Sequence, residues 1–127
     1  SLKIIKYRGY MVKIVSKSVE ETPAAGGNKL RLLAHPAKTG NIYCQASLLR
    51  ILPKHEFPSH FHPDSEDVIY ILKGKATFTV GEEEFDVEQG DVIVISEGIV
   101  HSAINYSDED VEMLVFQAPL PRFEFIK

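Results

Sequence analysis

His55, His60 and His62 fall within eight residues of one another, and this cluster is the first feature of the chain able to do chemistry. Residues i and i+2 on a strand face the same way, so an extended His60-Phe61-His62 segment sets two imidazoles side by side and turns Phe61 to the other face. Pro58 and Pro63 disfavour helix here, which supports the extended reading. Two neighbouring imidazoles can grip one metal ion. Glu66 and Asp67 follow directly, and either can add a carboxylate. Neutral imidazole with carboxylate suits Fe(II), Mn(II), Ni(II) or Zn(II), since no thiolate stands nearby to select a softer ion. Taken alone, an HxH pair on a strand edge is more often two solvated side chains.

The elements that must position such a pair read as strands. Ile42–Leu52, Asp67–Leu72, Lys75–Val80, Glu84–Val87, Val92–Ile95, Ile99–Ile104 and Val111–Gln117 are short, rich in β-branched or aromatic residues and separated by turn signals. Within Lys75–Val80, Ala76, Phe78 and Val80 alternate with Lys75, Thr77 and Thr79. Gly74, Gly81 and Gly90 punctuate the run. Such spacing predicts an all-β fold, a sandwich or a closed barrel. Lys17–Thr22 is one short helical turn at most, and Glu21–Lys29 reads as a loop around Pro23, Gly26 and Gly27. The acidic triplets Glu82–Glu84 and Asp108–Asp110 read as hairpin tips or solvated edges.

Several other residues bear on a cavity. Cys44 alternates with Ile42 and Ala46 and reads as a buried small side chain; if that face lines the barrel, its thiol approaches the metal. Gln45, Ser47 and Arg50 are the upstream polar residues able to enter. An inward Arg50 would mark a carboxylate or phosphate substrate, although a solvent-facing arginine is the default. His35, followed by Pro36, reads as incidental at a strand end.

The length of 127 residues predicts a single domain spanning 1–127. Fourteen basic against eighteen acidic residues give a net charge of −4, which argues against nucleic acid as a partner. No apolar run approaches the roughly eighteen residues of a membrane span. SLKIIKYRGY lacks the apolar stretch of an export signal, and the single Cys44 excludes an intrachain disulfide. A cytoplasmic location is the expectation. Residues 1–10, ahead of Met11, read as an N-terminal extension or an edge strand.

From His60 the chain runs HFHPDSEDVIYILKG, and from Gly90 it runs GDVIVISEGIVHSAIN. These stretches resemble the two signature motifs of the cupin superfamily, in its small single-domain form. His60, His62 and Gly74 match the first motif, about 54–74, with Asp67 at its glutamate position. Gly90, Gly98, His101 and Asn105 match the second, about 90–105. Three departures stand out. Lys54 replaces the opening glycine, so that turn must be built differently. Ser96 replaces a proline. Asp67 is shorter than glutamate by one methylene, ~1.5 Å of reach; Glu66 is long enough but faces the opposite side unless a bulge rotates it.

The resemblance implies a double-stranded β-helix, or jelly-roll barrel, in which His60, His62, Asp67 and His101 converge on one divalent ion with about two open positions. Residues in phase with these ligands, namely Ile69, Ile71, Ile99 and Ala103, are apolar and predict a greasy pocket with one charged centre. A small organic substrate, anionic ones included, is implied, with dioxygenase or isomerase/decarboxylase chemistry and Glu66 or His55 as candidate base. The alternatives are a non-catalytic module that binds or senses a small ligand, and a structural zinc site. The strand-like Leu2–Tyr7 and Val12–Val15, with the tail Ala118–Lys127, can cover a sheet edge or extend a neighbour's sheet. A homodimer is the expected assembly.

Overall fold

A computed structural model describes residues 2–6 and 10–126, and its strands follow in chain order. β1 (Leu2–Lys6) and β2 (Tyr10–Ile14) pair with each other as a separate two-stranded sheet. A 3₁₀ turn at Ser16–Ser18 precedes β3 (Thr22–Ala24) and β4 (Asn28–Ala34), and β4 runs into the single helical turn α1 (Pro36–Thr39). β5 (Gln45–Ile51), β6 (Glu56–Phe61), β7 (Glu66–Lys73) and β8 (Lys75–Val80) come next. β9 (Glu83–Glu88), β10 (Val92–Ile95), β11 (His101–Ile104), β12 (Val111–Ala118) and β13 (Glu124–Phe125) complete the chain.

Two antiparallel sheets result, one in the order β10-β7-β12-β5-β4-β3 and the other β13-β6-β11-β8-β9. Period-two alternation explains their packing. In β7, Asp67, Ile69 and Ile71 are buried while Glu66, Val68, Tyr70 and Leu72 are exposed; in β12, Val111, Met113, Val115 and Gln117 are buried. The buried faces meet in a core containing Ile51, Ile71, Ile95, Phe78 and Met113. Removing such a side chain costs about 2–5 kcal/mol, so this core holds the two sheets in register. The architecture is all-β and is the double-stranded β-helix that the motifs imply.

Sequence reading errs where alternation is interrupted. The strand expected over Ile42–Leu52 begins at Gln45. Ile42 and Tyr43 are exposed, and the Asn41 side-chain amide donates to the Cys44 carbonyl, which bends the chain before β5. Cys44 is half-buried rather than sealed in the core. The strand expected from Ile99 begins at His101, leaving Ile99 and Val100 partly exposed, so Ile99 is not an interior residue. β4 carries no strand signal in its sequence, because its residues after Asn28 are half-buried on both faces and show no alternation. Tyr7 lies outside the described residues.

Lys54 corrects a further expectation. Its φ is 62°, so the turn keeps the left-handed geometry a glycine would adopt, and lysine occupies it. Gly74, also left-handed at φ 80°, has no such latitude, because a Cβ there would sit 2.6 Å from the Asp110 carbonyl oxygen.

Candidate metal centre

The His60-Phe61-His62 segment straddles the end of β6, and His101 opens the neighbouring β11 directly opposite His60. That pairing brings the His60 and His101 rings to 4.3 Å between centroids. His62 lies 5.0 Å from His60 and 5.4 Å from His101 by the same measure. One nitrogen from each of the three buried rings lies within 4.8 Å of the others. Asp67 reaches the cluster from β7 in the facing sheet. Its Oδ2 lies 3.1 Å from His101 Nε2 and 3.3 Å from His62 Nε2, and the carboxylate is buried. Histidines forty residues apart thus form one cluster, and a carboxylate from the other sheet reaches two of them.

The backbone decides which nitrogen of each ring faces that point. His60 Nδ1 lies 2.8 Å from the Pro58 carbonyl, and His101 Nδ1 lies 2.8 Å from the Ile99 carbonyl. His62 Nδ1 lies 2.9 Å from the Arg122 carbonyl in the C-terminal tail. A carbonyl only accepts, so each Nδ1 carries the proton and donates, leaving Nε2 as a lone pair. This arrangement prepares histidine for ligation. Among the described residues, Asp67 Oδ1 and His101 Nε2 are buried without a hydrogen-bond partner. A carboxylate oxygen facing imidazole lone pairs at 3.1–3.3 Å is repulsive unless a cation or proton lies between them. The donor set therefore fits a divalent ion.

Burial and charge act on these groups in opposite directions. Burial pushes His60 down to about 4, so its ring is neutral at pH 7. Burial also pushes His62 down, but the contact with Asp67 and its charge outweigh that and raise it above the ordinary value. Burial raises Asp67, yet His101 and then His62 more than reverse this and hold the carboxyl at about 2.

Beside the centre lies a cavity of about 320 Å³. Leu30, Leu49, Phe57, Met113 and Val115 supply its apolar wall, and no lysine or arginine lines it among the described residues. Gln45 and Ser47 enter it, as their positions on β5 allow. Arg50 does not: its guanidinium is held outside by Glu21 at 2.6 Å and Asp110 at 3.0 Å. The candidate bases also lie elsewhere. Glu66 is exposed, one position out of phase with Asp67, and His55 donates to the Pro53 carbonyl beside Gly27 and does not line the cavity.

Three residues that matter here escaped sequence reading. Gln117 accepts from the Gln45 amide at 2.8 Å and sets its own nitrogen 3.3 Å from His62 Nε2. Its signal was available, since it is a polar residue in phase with Val111, Met113 and Val115. Phe123 stacks on His60 at 5.6 Å and meets His62 edge-on at 4.4 Å; nothing local in the tail announces this. His35, read as incidental, lines the cavity. Asn105, the last residue of the second motif, lies away from the metal centre. It is fully buried, and its amide bridges the carbonyls of Ile51, Leu52 and Glu109.

The family described as Cupin domain matches residues 47–117. Polyketide synthase CurC of Streptomyces cyaneus is 27% identical over 104 residues, which cover 82% of this chain and 67% of that protein. An uncharacterized protein of Methanocaldococcus jannaschii is 32% identical over 97 residues, covering 73% of this chain and 74% of its own length. Among solved structures, polyketide cyclase RemF from Streptomyces resistomycificus is similar with a TM-score of 0.80 at 20% identity, over 92% of this chain and 86% of that one. A predicted oxalate decarboxylase from Thermotoga maritima gives a TM-score of 0.74 at 21% identity, over 85% of this chain and 99% of its own. No helix among the described residues is long and apolar enough to cross a membrane.

Proposed function

The chain belongs to the cupin family, and from that premise we propose that it is a metal-dependent enzyme whose His60, His62, His101 and Asp67 hold one divalent cation. The observation that carries this reading is the cluster of three buried rings, each held by a backbone carbonyl at its Nδ1, with the buried Asp67 carboxylate against the Nε2 atoms of two of them. Asp67 is preferred to Glu66 as fourth ligand because it is buried against two of the rings. A bound ion of this class supplies Lewis acidity toward a carbonyl or enol oxygen and, where it is redox-active, reactivity toward O₂.

The chain's own residues define the substrate. A cavity without lysine or arginine offers nothing to pair with a second carboxylate, so the reading favours a neutral, mainly apolar organic molecule over a small dicarboxylate. Phe57 and Phe123 cover the ring cluster and keep water from it. The names of the polyketide synthase CurC and the polyketide cyclase RemF support a polyketide-like organic substrate for the isomerase-type chemistry we propose. One observation favours a non-catalytic binding module as the second reading: neither Glu66 nor His55 is within the cavity to serve as base.

The test is zinc and manganese titration of metal-stripped protein, followed by turnover assays with enolisable aryl ketones and O₂ uptake. Metal uptake that His101→Ala abolishes supports the centre, and ketone turnover separates the enzyme from the module. A protein that takes up neither metal defeats the reading. We also propose a homodimer of 1–127, a single domain, acting in the cytoplasm. The apolar side chains left outward on Val68, Tyr70, Val92, Val94 and Phe116, beside the free edge of β10, support the dimer.

A further inference from the structure

Of the histidines that line the cavity, His60 and His35 are held in opposite tautomers. The Ala37 N–H donates to His35 Nδ1 at 3.0 Å, so in this ring Nδ1 is the bare nitrogen and Nε2 carries the proton. The capping arrangement at α1 fixes the residue on every side. The His35 N–H donates to Thr39 Oγ1 at 3.1 Å, and its carbonyl accepts from the Lys38 and Thr39 N–H groups at 2.8 Å each. Among the described residues, no group accepts from the His35 Nε2–H.

Strand register shows where that donor stands. Asp67 on β7 lies opposite Gln117 on β12, and Gln117 lies opposite Gln45 on β5. Ala34, the last residue of β4, lies opposite Ala46, and His35 follows it in extended conformation at the end of β5 where Gln45 begins. A row of carboxylate, amide and amide therefore crosses three strands at one level, the His35 imidazole follows just past the end of β4, and all four residues line the cavity. At ~4.8 Å per strand the row and His35 together extend about 14 Å, with the metal centre at one end and a proton donor at the other. The two glutamines already bond to each other. His35 lines the same cavity, and its Nε2–H is the group not used by the α1 cap.

We propose that His35 is a substrate-binding residue whose Nε2–H donates to an oxygen on the substrate at the end remote from the metal centre, so that the cavity selects elongated apolar molecules with oxygen at both ends. The inference deepens the function proposed above and rests on it.

The test uses two probes, 1-hydroxy-2-acetonaphthone, whose hydroxyl and carbonyl form a chelating pair, and its 6-methoxy derivative, which adds a distal acceptor. Both are titrated into zinc-loaded wild type, His35→Asn and His35→Gln, and zinc affinity is measured separately by competition with a chromophoric chelator. Asparagine keeps an acceptor for the Ala37 N–H, so α1 remains capped, but it withdraws the donor from the cavity. The expected result is that His35→Asn weakens the methoxy probe about fivefold to tenfold, the worth of one neutral hydrogen bond. The parent probe should move less than twofold, zinc affinity should hold, and His35→Gln should recover part of the loss. Equal weakening of both probes, or of neither, overturns the role of His35. Wild type that takes up zinc but neither probe overturns the inference while sparing the metal centre. Wild type that takes up no zinc overturns the proposed function and this inference with it.

Discussion

Asn105 and Lys54 show that residues at motif positions need not line the candidate centre. Asn105 lies fully buried, with its amide shared among three carbonyls and its Oδ1 accepting from the Ser107 N–H at 3.0 Å and hydroxyl at 2.7 Å. Asn105→Ala leaves those buried groups unsatisfied and is expected to cost about 3 kcal/mol in urea unfolding, while zinc affinity of the folded protein holds. Lys54 sits at φ 62° and donates from Nζ to the Tyr106 carbonyl. Lys54→Gly and Lys54→Ala both lose that bond, but only alanine retains the backbone strain. The glycine variant should therefore be the more stable of the two by about 1 kcal/mol in the same assay. The motif residues themselves were legible in the sequence. That Lys54 keeps the turn's backbone geometry was not, because a left-handed φ leaves no mark in composition.

Elements distant in the chain complete the site. β13 pairs with the edge of β6, and just before it Arg122 presents its carbonyl to His62 Nδ1. Truncation after Ala118 removes that carbonyl along with Phe123. Outer partners of this kind are worth about 10–100-fold in metal affinity, so zinc binding should weaken by that factor in chelator competition. A second tie joins Arg50 on β5 to Glu21 ahead of β3 and to Asp110 ahead of β12. The hydrogen bond from Arg50 holds the Glu21 carboxyl below its ordinary value. A carboxyl depressed in the folded state adds stability above its unfolded value and loses it as pH falls through the folded one. Arg50→Met should therefore cost about 1 kcal/mol near pH 7, discounted for partial exposure, and progressively less as pH falls below about 4. Thermal melts across pH would show this. The tail's bond to His62 lay beyond sequence reading, since it joins residues sixty positions apart.

At the scale of the whole molecule, the sheet order leaves β10 as a free edge among the described residues, carrying Val92 and Val94 on its exposed face. Val94→Asp should shift the protein from dimer to monomer in sedimentation velocity, with zinc affinity unchanged; a wild-type monomer would defeat the homodimer. The sequence by itself determined the class of fold, because period-two burial and turn glycines are local properties. It also marked the histidines, whose types and spacing are chemistry in themselves. Only the tertiary structure decided that Gln117, His35 and the tail join the site, that Arg50 stays outside it, and which nitrogen of each ring faces the centre. Those outcomes depend on cross-strand register and on backbone carbonyls brought in from elsewhere in the chain, and neither is encoded within any single stretch of residues.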